Sequence, residues 1–174
     1  MSPELNHLDA TAVLEKFRDG SISPSAYAES VAQRAHEFSD LNALLSFDPE
    51  YLVRTADNSF REHPNAMLSG LPVVAKDNIN TTNYPTSAGT QALLEQTPAN
   101  DAGVVKNITN AGGFIGAKGG MHELAFGITS NNAVTGPVRN PKNPDMIPGG
   151  SSGGTAAAIA AGIFPAGLGT DTGG

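Results

Sequence analysis

Apolar residues recur at helical spacing in the first third of the chain, and this pattern predicts three helices. The first covers residues 9–20, with Asp9 as its cap. The second begins at Ser23, a favourable N-cap, and continues into Pro24, which suits the first helical position. The third covers residues 49–60 and also begins with a proline.

Short apolar runs further along the chain predict strands. Residues 41–47 alternate apolar and polar positions, which is typical of a half-buried strand. The segment "LPVVAKDN" is apolar up to Lys76, so it predicts a buried strand with polar side chains at its end. Two further strands are predicted within residues 114–120 and 163–169. Because these strands alternate with helices, the pattern indicates an α/β fold with a mixed sheet flanked by helices.

Two more helices are predicted among these strands. The first has Asn100 or Asp101 as its cap, with Val104 and Val105 on its buried face. The second is a helix of small residues over residues 153–161. Both separate two predicted strands, which agrees with the α/β class.

Composition and charge narrow the kinds of partner and chemistry. Ten Lys and Arg against 17 Asp and Glu give a net charge of −7, which opposes nonspecific binding to nucleic acid or an anionic membrane. The chain has no cysteine, so disulfides, thiolate metal sites and cysteine nucleophiles are excluded. No H-E-x-x-H motif occurs, and we predict neither a metal nor another cofactor. The first 17 residues contain no apolar run typical of a secretory signal, so we expect a cytoplasmic location.

Two glycine-rich segments, "PGGSSGG" and "GLGTDTGG", lie close together in the sequence. Glycines permit a sharp turn, and the helix after the first segment would present free N–H groups and partial positive charge at its N-terminus. Such an arrangement suits a noncatalytic anion-binding module. A flexible linker is the plainer alternative, although linkers do not bury alanine and isoleucine. Neither segment matches a Walker loop or a dinucleotide-binding fingerprint.

A serine nucleophile needs a positioned base, and one lysine is the candidate. The four histidines have no supporting pattern around them. Lys76 follows a predicted buried strand, where desolvation would disfavour the charged ammonium. Taken alone, a lysine at the end of a strand is more often an ordinary surface residue.

Three motifs taken together change that balance. "GLPVVAKDN", "PGGSSGGTAAAIAAG" and "GLGTDTGG" occur in this order, and the set resembles the amidase signature family from about Gly70 to Gly174. Members of this family are serine hydrolases that cleave carboxamides. The segments "MHELAFGITSNN" and "GPVRNP" are most similar to its indoleacetamide and mandelamide hydrolases. The resemblance implies an N-terminal helical segment, residues 1–60, packed on the first part of a catalytic domain, residues 61–174.

The resemblance implies a catalytic triad of two serines and one lysine. Lys76 matches the lysine of the family, and Ser151 matches the serine that relays a proton between this lysine and the nucleophile. The peptide bond between Gly150 and Ser151 would be cis, which is uncommon without proline. Ser152 would support Ser151 by hydrogen bonding, in addition to capping the helix that follows.

The resemblance also implies an oxyanion hole and contacts with the substrate. The backbone N–H groups of three residues, together with the N–H of the nucleophile, would stabilise the oxyanion. The three residues are Thr172, Gly173 and Gly174. Ala125 and Gly127 would lie near the acyl pocket, with ordinary helix packing as an equal alternative. Asp171 would contact the substrate or stabilise the turn through a buried carboxylate.

The nucleophilic serine of the family would directly follow Gly174, where this sequence has no residue. We expect this serine in the C-terminal remainder of the enzyme, carried by a second chain, or as a chemically altered residue at this position. A real truncation is the third explanation. The expected substrate is a small carboxamide, and neither nucleic acid nor a membrane is expected as a partner. The sequence is compatible with a homo-oligomer. Three alternatives stay open: an amidase subunit of an amidotransferase, the anion-binding module, and an inactive fragment.

Overall fold

A computed structural model describes residues 5–173, which form a four-stranded sheet flanked by helices. The α-helices are α1 (Ala10–Arg18), α2 (Pro24–Glu37), α3 (Pro49–Glu62), α4 (Gly103–Asn110) and α5 (Gly153–Ala160). The strands are β1 (Leu44–Phe47), β2 (Pro72–Lys76), β3 (Phe114–Gly119) and β4 (Gly167–Leu168). Short 3-10 helices cover Leu5–His7, Ser39–Leu41, Gln91–Leu93 and Glu123–Ala125.

The sheet is mixed, with the strand order β1-β3-β2-β4. β1 runs antiparallel to β3, whereas β2 runs parallel to both β3 and β4. The predicted α/β class with a mixed sheet is therefore confirmed. Parallel pairing brings the carboxyl ends of β2, β3 and β4 to one edge of the sheet, where polar side chains of an α/β fold usually meet.

The two faces of the sheet carry separate hydrophobic clusters. On one face, Val74 belongs to the same hydrophobic cluster as Ala158 of α5. The other face packs Ala75 with Val105 of α4. Since side chains alternate along a strand, Lys76 follows Val74 onto the face that α5 covers.

Side-chain caps begin the three N-terminal helices. The carboxylate of Asp9 accepts a hydrogen bond from the N–H of Ala12 at 2.8 Å. The hydroxyl of Ser23 accepts one from the N–H of Ala26 at 3.1 Å. Asp48 caps α3 in the same manner. The two predicted caps are confirmed, because these signals act within one helical turn and need no distant partner.

The start of α4 differs from the prediction. Neither Asn100 nor Asp101 caps this helix, which begins without a side-chain cap. The carboxylate of Asp101 instead accepts a hydrogen bond from the N–H of Thr82 at 2.6 Å. Val105 is buried as predicted, whereas Val104 is 43% exposed. The carboxylate of Asp101 is therefore bonded to a backbone N–H that is distant in sequence, and it does not cap the helix that local sequence assigned to it.

The predicted strand over residues 41–47 is shorter in the structure. It begins at Leu44, because Ser39–Leu41 forms a 3-10 helix and Asn42 has a left-handed backbone with φ of 50°. Leu41 is buried nonetheless, so the apolar pattern identified a core position while misassigning its backbone.

Residues 120–152 connect β3 to α5 with little regular structure. Asn132 ties this segment to the rest of the molecule: its Nδ2 donates to the carbonyl of Gly89 at 2.9 Å and to that of Met121 at 3.2 Å. Within residues 5–173, no helix is long and apolar enough to cross a membrane. The same residues hold no cluster of three or more His, Asp or Glu side chains suited to a metal ion.

Candidate active site

Lys76, the last residue of β2, is fully buried and points towards two hydroxyl groups. Its Nζ donates to the Oγ of Ser151 at 2.6 Å and to the Oγ1 of Thr170 at 2.8 Å. A third contact joins Nζ to the carbonyl of Thr170 at 3.3 Å. These residues are 75 and 94 positions from Lys76 in sequence, so the fold brings the groups together.

The surroundings of Lys76 favour an uncharged amine. Burial lowers the pKa of Lys76, and the negative charge of Asp171 opposes this effect as the smaller influence. The three hydrogen-bonding oxygens are hydroxyls and a carbonyl, which carry no formal charge. A lowered pKa increases the fraction of uncharged amine at a given pH, and only the uncharged amine can accept a proton as a general base does.

Ser151 lies in a turn that hydrogen bonds with another segment of the chain hold in place. The Gly150–Ser151 peptide bond is cis, as the family resemblance implies. The N–H of His122 donates to the carbonyl of Ser151 at 3.1 Å, and the N–H of Gly153 donates to the Oγ of Ser130 at 3.0 Å. A Cβ atom at Gly150 would lie 2.8 Å from that Oγ, and one at Gly153 would lie 2.2 Å from it. The glycines on both sides of the serine pair therefore permit this close approach.

Ser152 directly precedes α5, but its hydroxyl does not cap the helix, so that part of the prediction is wrong. Its Oγ instead exchanges two hydrogen bonds with Thr170: it donates to the carbonyl and accepts from the N–H, each at 3.2 Å. Asn78 also contacts this residue, with its Nδ2 donating to Oγ1 at 3.1 Å. Thr170 is thus held by Ser152, which directly follows Ser151, and by Asn78, two residues after Lys76.

An open cavity of about 740 Å³ lies in front of Ser151. Its walls contain most of the residues that the resemblance assigned to the site: Ala125, Gly127, Gly150, Ser151, Ser152, Asp171, Thr172 and Gly173. Phe126, Ile128 and Pro148 add apolar surface to the same walls. The structure thus places these positions together, while their roles stay predictions. Asp171 is exposed, so the alternative of a buried carboxylate at this turn is wrong. Gly174, the remaining member of the predicted oxyanion hole, lies outside the described residues.

Three polar residues of this region were absent from the sequence prediction. Thr170 stands within "GLGTDTGG", directly before Asp171, so the motif itself could have indicated it. Lys118 interrupts an otherwise uncharged strand, which is the signal of a buried charge. Ser130 gave no signal, because its contact with Gly153 depends on the path of an irregular segment.

The chain belongs to the Amidase family, whose model matches residues 26–174. It is 48% identical over 162 residues to indoleacetamide hydrolase of Rhizobium radiobacter, covering 92% of this chain and 34% of that protein. It is 39% identical over 168 residues to one of the subunits of glutamyl-tRNA(Gln) amidotransferase of Chromohalobacter salexigens, covering 94% of this chain and 35% of that protein. The chain spans about a third of the length of these curated relatives.

Solved structures give the same result for the fold. The chain superimposes on a crystal structure of an amidase with a TM-score of 0.88 and 40% identity, covering 95% of this chain and 39% of the other. Against the native peptide amidase from Stenotrophomonas maltophilia, the TM-score is 0.82 with 27% identity, covering 91% of this chain and 35% of the other. The resemblance to the amidase signature family, and the fold class that it implies, are confirmed.

Proposed function

We propose that this chain supplies the lysine and the bridging serine of an amidohydrolase, which cleaves a carboxamide to a carboxylate and ammonia through a serine acyl-enzyme. The observation that carries the proposal is the 2.6 Å contact between the buried amine of Lys76 and the hydroxyl of Ser151. A buried lysine bonded to a hydroxyl at the wall of a cavity is suited to general-base catalysis. Membership of the Amidase family supports the same reaction.

In the proposed acylation step, the uncharged amine of Lys76 accepts the proton of Ser151. Ser151 in turn accepts the proton of the nucleophilic serine, whose oxygen attacks the carbonyl carbon of the amide. The N–H groups of Thr172, Gly173 and Gly174 stabilise the oxyanion that forms. The relay then returns a proton to the nitrogen as the C–N bond breaks, and ammonia leaves. Water hydrolyses the acyl-enzyme by the same relay.

The nucleophile in this proposal belongs to polypeptide beyond these 174 residues. Support comes from the relatives, since the chain covers only 34% of the matched indoleacetamide hydrolase. In the complete enzyme, residues 1–60 would form the helical segment that packs on the core, and residues 61–174 the first part of the catalytic domain. One hydrophobic cluster already contains Val31 and Leu52 from the first part with Val74 from the second.

The proposed substrate is a small primary carboxamide with an aromatic acyl group. The matched indoleacetamide hydrolase supports this choice. The apolar side chains of Phe126 and Ile128 in the cavity wall would contact such a group, and Asp171 of the same wall would contact the polar part of the substrate. The second candidate is an amidase subunit of an amidotransferase, which the 39% identity to one subunit of such an enzyme favours.

The first prediction concerns turnover of indole-3-acetamide by the intact enzyme, measured as released ammonia. Lys76→Met should lower kcat at pH 7 by roughly 10³-fold, because the relay loses its base. Lys106→Met, which removes an exposed lysine of α4, is the matched control and should leave kcat unchanged. Wild-type turnover in Lys76→Met would contradict the proposal. Turnover of glutamine but not of indole-3-acetamide by the wild-type enzyme would favour the amidotransferase alternative.

A further inference from the structure

Lys118 in β3 is a second fully buried lysine, and the proposed reaction does not use it. Its Nζ donates to the Oγ1 of Thr86 at 2.7 Å and to the carbonyl of Pro85 at 3.1 Å. The same Nζ lies 3.5 Å from the Oδ1 of Asp77, which is itself only 2% exposed. The two side chains form a buried ion pair, and Asp77 directly follows Lys76 in sequence.

The pair lies on the face of the sheet opposite the amine of Lys76. Lys118 is in register with Ala75 of the parallel neighbour β2, so these two side chains share a face. That face packs against Val105 of α4, whereas Lys76 points to the α5 face. Lys118 therefore does not touch the amine of Lys76, and an effect on that amine would have to pass through the strand or through electrostatics.

Asp77 joins the end of β2 to the cavity wall by hydrogen bonds. Its N–H donates to the carbonyl of Gly119 at 3.1 Å, which fixes the residue after the base against β3. Its carboxylate accepts from both the N–H and the hydroxyl of Ser87. Its carbonyl accepts from the N–H of Ala88 at 3.0 Å, and the carbonyl of Ala88 accepts from the N–H of Leu124 at 2.8 Å. Leu124 directly precedes Ala125 of the cavity wall.

We propose that Lys118 and Asp77 are a positioning pair for Lys76, which holds the end of β2 in place and compensates the negative charge of the residue that follows Lys76. This inference rests on the proposed function, in which Lys76 works as an uncharged base. Lys118 supplies the positive charge that balances Asp77. Without it, the buried carboxylate of Asp77 would favour the ammonium form of Lys76 and so lower the fraction of uncharged amine at neutral pH.

The charged groups around Lys76 make this effect separable from others. Asp171, in the segment after β4, raises the pKa of Lys76 against the effect of burial. α5 packs on the same face and has no titratable side chain. β3 contributes Lys118, and β2 is followed by Asp77; burial lowers the pKa of Lys118 while Asp77 opposes the decrease. The contribution of the pair can thus be tested by changing its two members in turn.

The experiment measures kcat/KM of the intact enzyme for indole-3-acetamide between pH 5 and 10. Activity rises with pH as Lys76 loses its proton, which gives an acidic limb. Lys118→Met should move this limb upward by roughly one pH unit, because Asp77 is then unpaired. Asp77→Asn alone should not move it upward. The double variant Asp77→Asn, Lys118→Met should return the limb to its wild-type position, and Lys106→Met is the control for loss of an exposed lysine.

An upward shift in Lys118→Met that Asp77→Asn reverses supports the positioning pair. If Lys118→Met lowers kcat/KM equally at every pH with the limb unmoved, the pair is merely structural and the inference is wrong. If Lys118→Met does not fold, Asp77→Asn decides: a limb moved downward supports the inference, because Lys118 then carries an uncompensated positive charge, and an unmoved or raised limb contradicts it. A failure of the proposed function gives a different result, because the acidic limb would then persist in Lys76→Met.

Discussion

Lys76 and Lys118 are both fully buried on neighbouring strands, yet their amines have different partners. Lys76 donates to the hydroxyls of Ser151 and Thr170, whereas Lys118 lies beside the carboxylate of Asp77. Burial lowers the pKa of both lysines, and the carboxylate directly opposes that effect at Lys118. The comparison teaches that burial makes a charged amine costly, while the partner decides whether the amine keeps its charge.

The two lysines should differ most in how much their replacement by methionine lowers the free energy of unfolding. Lys118→Met leaves Asp77 as an unpaired buried carboxylate, which costs about 3–5 kcal/mol of the free energy of unfolding at pH 7. Lys76→Met leaves two hydroxyls and a carbonyl without a donor, and none of them is charged, so its change should be smaller, about 1–3 kcal/mol. Urea denaturation of the intact enzyme, followed by circular dichroism, measures both values. Equal losses in the two variants would show that the buried partners do not distinguish the lysines.

The positions of the two lysines show how far the sequence predicts this molecule. The apolar run before Lys76 predicts β2 because a buried strand is a local pattern, and the caps at Asp9 and Ser23 act within one turn. The "FIGAKGG" segment predicts β3 equally well. It does not predict the partner of Lys118, since this lysine meets Asp77 only through the parallel pairing of β2 with β3.

The site itself was predictable mainly through its motifs. The resemblance to a family predicts that Lys76 and Ser151 lie in one site. Without that resemblance, a lysine at the end of a strand is more often interpreted as a surface residue. The contact with Thr170 was missed because it joins residues 94 positions apart. The misassigned cap at Asp101 has the same cause: the N–H of Thr82, distant in sequence, competes for the side chain.

A smaller effect should come from the hydroxyl that holds Lys76 beside Ser151. Thr170→Val removes the 2.8 Å contact with Nζ while keeping the shape of the side chain. We expect kcat to fall by about tenfold with KM little changed, since Lys76 loses one hydrogen bond of about 1.4 kcal/mol. The hydrogen bond from Asn78 to the same hydroxyl is also lost. Steady-state kinetics of the intact enzyme measure this change. Thr109→Val, which removes an exposed hydroxyl of α4, is the matched control and should change neither constant.

The most direct test is the titration of Lys76 itself, followed in the intact enzyme by NMR of lysine side chains labelled with ¹⁵N. The signal of Lys76 is assigned by its loss in Lys76→Met. The account predicts that this amine loses its proton below the ordinary lysine pKa of 10.5, as burial requires. A midpoint at or above 10.5 would mean that the amine stays charged at neutral pH, and it would contradict the base role of Lys76.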